Sequence, residues 1–253
     1  ELEILIKNFN LMIDRLKIQQ DKLLLTERHE AWENVARKLA HEIKNPLTPI
    51  QLTIDQLKSK YVEKLPENEK NKYDEYLKTI HKQIKQIENL VNEFSDFARM
   101  PKPILKKNNL YDLINSNISI LKNINSNIVI KVIGKNEIFI NCDSEQINRV
   151  FFNLIKNSIE SINEKSQKSD DFKGIINIEL FKNNDYIKVI IIDNGIGFPD
   201  KNIEDITKPY FTTKKNGTGL GLPIVNKIIN DHNGKMSFLK NKDGAKIEIN
   251  LPI

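Results

Sequence analysis

Apolar residues recur at helical spacing through the first hundred positions and at strand spacing after them. Leu2, Phe9, Leu16 and Leu23 stand seven apart, with Leu5 and Met12 three residues after the first two. That a/d seam, about three heptads long and free of Gly and Pro, predicts a parallel two-helix coiled-coil linker over residues 1–30. Ala36, Leu39, Ile43, Leu47, Ile50, Ile54 and Leu57 form a second stripe, and Leu77, Ile80, Ile84, Ile87, Val91, Phe94 and Ala98 a third. A polar stretch around Pro66 separates the two, so residues 31–100 are expected to be a helical hairpin. Each of its helices is roughly 30 residues, near 45 Å. Two such helices cannot bury their stripes alone, whereas a dimeric four-helix bundle buries both.

Met100-Pro101-Lys102-Pro103 ends the helix in a short stiff linker. From 104 to 253 the pattern becomes α/β. Strands are expected at Ile128–Ile133, Ile138–Asn141, Ile175–Phe181, Ile187–Asp193, Lys235–Leu239 and Lys246–Leu251. Helices are expected at Leu110–Lys122, Ser144–Glu164 and Leu220–Asn230. The short turns Asn183-Asn184-Asp185 and Asn241-Lys242-Asp243-Gly244 imply hairpins and an antiparallel or mixed sheet.

Composition narrows the function classes. Of 253 residues, 39% are hydrophobic, enough for a packed core. A single cysteine, Cys142, excludes a disulfide framework and a cysteine-based zinc site, and it reads as packing rather than chemistry. The longest apolar runs, such as Val189–Ile192, fall far short of the roughly 18–20 residues that span a bilayer. The chain opens with Glu1 and no signal peptide, which is read as a fragment or a processed chain. Net charge is +5, yet only five of the 39 basic residues are Arg. The lysines are scattered among Glu, Asp, Asn and Ile, and base readout favours Arg, so no nucleic-acid partner is expected.

His41 stands in Ala40-His41-Glu42-Ile43-Lys44-Asn45-Pro46-Leu47, two residues from Leu39 and two from Ile43, and so off the apolar stripe. A neighbouring carboxylate, Glu42, can orient an imidazole and take its proton, leaving a nucleophilic nitrogen. Asn45 lies one turn on, on the same face. Pro46 and Pro49 each remove a backbone donor and suggest a hinge beside the reacting group. Taken alone, an exposed helical histidine is usually ordinary surface.

Three clusters change that. Asn153 and Asn157, four apart in Asn148–Asn157, can turn two amides one way and hold a hard cation with its waters; in so Asn-rich a chain they can also be a solvated face. Asp193-Asn194-Gly195-Ile196-Gly197-Phe198 follows a strand; its carboxylate can accept from an exocyclic amine, and Gly195 and Gly197 let the backbone pass close to a flat ring. Asn216-Gly217-Thr218-Gly219-Leu220-Gly221-Leu222-Pro223 enters a helix, whose N-terminal amides suit phosphate. It is neither a P-loop nor a Rossmann loop, by its spacing and its place in the chain. Between the last two clusters Lys208–Lys215 reads as a lid. His232 reads as a turn residue before Gly234.

In this order the H-E-x-x-N-P-L helix, N-x-x-x-N, D-x-G-x-G-F, P-Y-F-T-T-K and G-T-G-L-G-L resemble sensor histidine kinases of two-component systems, over about residues 31–253. The stretch from Ala31 to Leu52 resembles most the NtrY-like nitrogen-regulation kinases. The resemblance implies a fold: a dimeric helical-hairpin domain, then an α/β sandwich ATP-binding domain of the gyrase/Hsp90/histidine kinase/MutL type. It implies that His41 is phosphorylated from ATP and passes the phosphoryl group to an Asp of a response regulator. Glu42 would then be base and orienting partner, and Asn45 would position water for regulator dephosphorylation. Asn157 would hold Mg²⁺, with Asn153 beside the triphosphate and Lys156 nearby. Asp193 would bind the adenine amine, with Gly195 and Gly197 shaping its pocket. Phe211 and Lys214 would belong to the lid. Gly217, Thr218, Gly219, Leu220 and Gly221 would form the phosphate loop.

The partners implied are a second copy of the chain and an NtrX-like receiver domain. The parent would be an inner-membrane sensor anchored upstream, with this portion in the cytoplasm. Members that hydrolyse ATP carry Glu where this chain has Asn153, and an amide is no general base, so water attack should be poor. Ser158 and Ser161 stand where Ala is usual in the family; as near-isosteres they are expected to leave binding unaffected. The alternatives are a non-catalytic ATP-binding scaffold, a phosphatase-biased regulator and a water-using ATPase.

Overall fold

The computed structural model describes Met12 and residues 35–122, 127–167, 172–198, 203–214, 217–239 and 241–253. Of the linker expected over 1–30, all but Met12 lies outside the described residues. The chain divides into two compact units, Glu1–Met100 and Pro101–Ile253.

In the first unit, helix α1 covers 35–61 and continues through Pro46 and Pro49 without interruption. A 3₁₀ turn (Val62–Lys64) leads to α2 (Glu67–Ala98), which starts after Pro66 with Glu67 and Glu69 in its first turn, where they suit the helix dipole. The two helices are joined by a core of Ile54, Leu77 and Ile84, flanked by Leu47, Leu57, Val62 and Tyr73. Lys58 of α1 reaches Asp74 of α2 at 3.3 Å. The rest of the apolar stripe stays open in the single chain. Leu39, Ile43, Ile50, Ile80 and Ile87 are each 40–46% exposed.

The second unit begins with β1 (Lys106–Asn109), α3 (Leu110–Lys122), β2 (Ile128–Ile133), β3 (Phe139–Cys142) and α4 (Ser144–Ser166). It continues with β4 (Gly174–Lys182), β5 (Tyr186–Asp193), a 3₁₀ turn (Ile203–Thr207), α5 (Gly221–Asp231), β6 (Lys235–Leu239) and β7 (Lys246–Pro252). Five strands form one mixed sheet in the order β2-β4-β5-β7-β6, with only β2 and β4 parallel. Strands β1 and β3 pair separately. Helix α4 packs against α3, α5 and β4, giving a helical layer on the sheet.

Strand β1 is absent from the sequence reading because Lys106-Lys107-Asn108-Asn109 has no apolar alternation; its ladder to β3 is reinforced by the Asn108 amide, which donates to the Cys142 carbonyl at 2.9 Å. Strand β3 lies one residue later than expected, so Cys142 is its last, fully buried residue and does not follow it.

The core alternation positions the site. Ile187, Val189 and Ile191 of β5 face Leu251, Ile249 and Ile247 of β7, all buried. The next residue of that inward series on β5 is Asp193. A period of two that fills the core with aliphatic groups thus delivers a carboxylate to the end of the sheet.

Candidate functional site

In the first unit, His41, Glu42 and Asn45 are all exposed on α1. His41 and Asn45 share a face one turn apart. Glu42 lies 4.0 Å from Lys38, also one turn away, rather than against the imidazole. Prolines lack an amide hydrogen, so the carbonyls of Glu42 and Asn45 have no i+4 donor from Pro46 and Pro49. Thr53 and Thr48 donate their hydroxyls to the carbonyls of Pro49 (2.8 Å) and Lys44 (3.4 Å).

In the second unit, α4 is the frame. Its cap is Asp143, which accepts from the amides of Glu145 and Gln146, each at 3.1 Å. Asp143 also accepts from the Ile104 amide at 2.9 Å, and its own amide donates to His232 Nε2 at 3.0 Å. His232 lies in the turn before Gly234, as expected, but its ring is buried and bonded at both nitrogens. It is 4% exposed at the C-cap of α5, with Nδ1 2.8 Å from the Ile228 carbonyl.

Asn153 and Asn157 do share a face of α4. Asn153 donates to the Arg149 carbonyl at 2.9 Å, and a methyl group built on Gly221 would stand 3.5 Å from its Oδ1. Its amide oxygen therefore faces the start of α5. The N-cap there, Leu220, is buried and supplies no side-chain cap, which leaves the first-turn amides available to an anion. Asn157 Oδ1 accepts from Lys214 Nζ at 3.2 Å, and the same ammonium bridges Glu160. Lys156 is exposed and turned toward Glu160 at 3.9 Å.

Asp193 is 4% exposed. Its Oδ1 accepts from the amides of Gly195 (2.9 Å) and Ala245 (3.2 Å), and its Oδ2 from the Ser158 hydroxyl (3.0 Å). Among the described residues no cation is paired with it. A Cβ on Gly195 would meet Ser161 Oγ at 2.3 Å, and Gly197 has φ +79° with the Gly244 carbonyl 2.9 Å from where a Cβ would stand. These two glycines let α4 and the β6–β7 turn close on the loop.

The glycine loop from Gly217 packs against residues 208–214. Gly219 (φ +68°) puts its would-be Cβ 2.5 Å from the Tyr210 backbone, and its carbonyl accepts from the Tyr210 amide at 3.1 Å. Tyr210 itself has φ 68°. Gly217 abuts Thr212, and its amide donates to the Lys214 carbonyl at 3.3 Å. Thr218 Oγ1 accepts from the Leu220 amide at 3.3 Å. Phe211 is half-buried, its amide 3.3 Å from the Lys208 carbonyl.

Three contributors escape the sequence reading. Gly244 reads as the end of a hairpin turn and Ala245 as the residue before a strand, yet they close over Asp193. Ser158 reads as a neutral replacement, yet it bonds the carboxylate. For the first pair the Asp243-Gly244 turn was the available signal; for Ser158 it was the departure from Ala.

Known proteins agree with this architecture. The family model of the His Kinase A (phospho-acceptor) domain matches residues 31–103. The model of the histidine kinase-, DNA gyrase B- and HSP90-like ATPase matches residues 142–253. An NtrY-like sensor histidine kinase of Rickettsia prowazekii is 40% identical over 255 residues, covering 100% of this chain and 41% of that protein. The chain thus spans about two fifths of the length of the curated relatives it matches. The catalytic domain of histidine kinase ThkA superposes with a TM-score of 0.52 at 28% identity, over 59% of this chain and 95% of that one. ThkA in complex with the response regulator TrrA gives 0.61 at 24% identity, over 89% and 63% of the two chains. With a His Kinase A domain followed by a histidine kinase-type ATPase domain, the chain has the domain pair of a histidine kinase and is similar along its whole length to the NtrY-like sensor histidine kinases.

Proposed function

We propose that the chain phosphorylates itself on His41 from ATP and passes the phosphoryl group to an aspartate of a response regulator. The observation that carries this reading is Asp193: a buried carboxylate with no paired cation among the described residues, held by three donors at the end of β5. It suits the exocyclic amine of adenine. Gly217, Gly219 and Gly221, with the uncapped start of α5, suit the phosphates.

Asn157 fits a metal role, because its amide oxygen already receives the Lys214 ammonium, a cation standing in for another. Asn153 would lie beside the triphosphate. Mg²⁺ held with the nucleotide would neutralise charge on the transferring phosphoryl group. In the chain itself, one ring nitrogen of His41 attacks the γ-phosphorus. The N–P bond forms as the P–O bond to ADP breaks, and the proton on the other ring nitrogen passes to Glu42. Glu42 must leave Lys38 to do so, at small cost for an exposed pair. Phe211 and Lys214 close the lid, and Lys156 contributes charge at its rim.

Asn45, on the His41 face, would place water for the reverse, phosphatase activity. The open stripe of Leu39, Ile43, Ile50, Ile80 and Ile87 fits a second copy of the hairpin. The ThkA complex supports a receiver domain as partner; an NtrX-like regulator and a membrane-anchored parent enter this reading only through the resemblance to NtrY-like kinases. The three domains of this reading are a linker over 1–30, the phosphotransfer hairpin over 31–100 and the ATP-binding domain over 104–253.

The test is incubation with Mg²⁺ and γ-labelled ATP, beside His41→Gln. Acid-labile, alkali-stable label on the wild type alone is expected. Label persisting on the variant overturns the acceptor, and steady phosphate release without His41 favours the water-using ATPase.

A further inference from the structure

Helix α4 grips the loop after β5 along one face. Ser158, Ser161 and Lys165 are spaced three and four apart, roughly a quarter turn from the face carrying Asn153 and Asn157. Ser158 donates to Asp193 Oδ2 at 3.0 Å, Ser161 Oγ accepts from the Ile196 amide at 3.0 Å, and Lys165 Nζ donates to the Asn194 carbonyl at 2.8 Å. The Asn194 side chain in turn accepts from the Ile175 amide and donates to the Lys173 carbonyl, both at 2.8 Å. The loop is therefore set before any ligand arrives.

A carboxylate offers about four acceptor positions. Oδ1 of Asp193 uses two, on Gly195 and Ala245, and Oδ2 uses one, on Ser158. One position remains. The three donors around the carboxylate are all spent on it, so among the described residues Asp193 offers a base one acceptor and no donor.

We propose that Ser158 is a specificity-determining positioning residue, which fixes Asp193 so that a purine with an amine at position 6 is taken and a 6-oxo purine is refused. The inference rests on the reading of the second unit as a nucleotide site. An amine gives a proton to the remaining lone pair. A 6-oxo group sets acceptor against acceptor and leaves a desolvated oxygen unmatched. Alanine at 158 would free a second position on Oδ2 for a water, and water bridges to an amine or a carbonyl alike. Ser158 is 3% exposed, so its replacement changes the hydrogen bonding more than the size of the pocket. The serine is not the neutral substitute for alanine that its volume suggests.

The experiment is calorimetric titration of the full chain with ADP and with GDP, each with Mg²⁺. Ser158→Ala should weaken ADP by about 3- to 10-fold, the range of one lost hydrogen bond, and shrink the ADP-to-GDP preference by at least as much. Ser158→Thr, which keeps the hydroxyl, should keep the preference. Ser161→Ala, which loosens the loop without touching the carboxylate, should weaken both nucleotides equally. An unchanged preference in Ser158→Ala overturns the inference. Failure of the wild type to bind ADP, or of Asp193→Asn to weaken it, overturns the nucleotide-site reading instead.

Discussion

Lys214 lays its ammonium on Asn157 Oδ1 at 3.2 Å, joining the segment before the glycine loop to α4. The same ammonium neutralises Glu160. Replacing it by methionine takes the ammonium off the Asn157 amide oxygen and leaves Glu160 with only the longer Lys156 pair, at 3.9 Å. Lys214→Met should therefore bind Mn²⁺ about 2- to 5-fold more tightly in the absence of nucleotide, as read by electron paramagnetic resonance. Equal Mn²⁺ affinity would show that the lysine does not screen this position.

Gly244 has φ +80°, and a Cβ there would stand 2.0 Å from the Asp193 carbonyl oxygen. The backbone of Asp193 and Asn194 must give way to any substitution, and the Asp193 carboxylate is carried with it. Gly244→Ala should weaken ADP by about 10-fold or more and lower the melting temperature, given a strain of order 1–3 kcal/mol. Wild-type ADP affinity in a folded variant would refute the coupling of this turn to the carboxylate.

Burial pulls the Asp143 carboxyl upward, but the amides of Ile104, Gln146 and Glu145 outweigh it, with help from His232, and hold it below the ordinary carboxylate range. A depressed folded value means stability present above the unfolded value, near 3.9, and lost as pH falls through the folded one. Asp143→Asn should flatten the acid limb of a urea-melt series below about pH 5. Asp143→Ala should cost about 1 kcal/mol at neutral pH through the lost cap.

Burial pushes the Cys142 thiol up to about 11, aided by the Asp143 charge and opposed by Asn108. Little thiolate forms at pH 8 and the sulfur is closed off. Native protein should react with iodoacetamide at least about 100-fold more slowly than urea-unfolded protein. Equal rates would mean that β3 opens readily.

The exposed stripe of the hairpin gives a test of assembly. Ile50 is 46% and Ile87 45% exposed in one chain. Ile50→Glu with Ile87→Glu should shift sedimentation from dimer to monomer, because an unpaired carboxylate would otherwise be buried in the bundle. An unchanged dimer would place the interface elsewhere.

Much of this was legible in the residues. The helical stripes, the mixed sheet and Asp193 at a strand end all follow from periods of 3.6 and 2, which depend on local side-chain direction alone. What escaped depends on contacts between distant segments. The pairing of β1 has no apolar signature. Gly244 looks like any hairpin glycine until the register of β5 with β7 brings it over Asp193. His232 sits in the turn its sequence indicates, but nothing local shows that its ring accepts from Asp143, 89 positions away. Ser158 was noticed by its identity, but its hydrogen bond depends on how α4 crosses the sheet.

The two prolines of α1 have a mechanical consequence. A helix resists twisting through the rungs of its hydrogen-bond ladder, and here two rungs, at Glu42 and Asn45, are missing within one turn. In engineering terms α1 is two stiff shafts with a compliant coupling between them, and His41 stands on the last turn of the first shaft. Torque applied at either end is absorbed where the histidine is mounted.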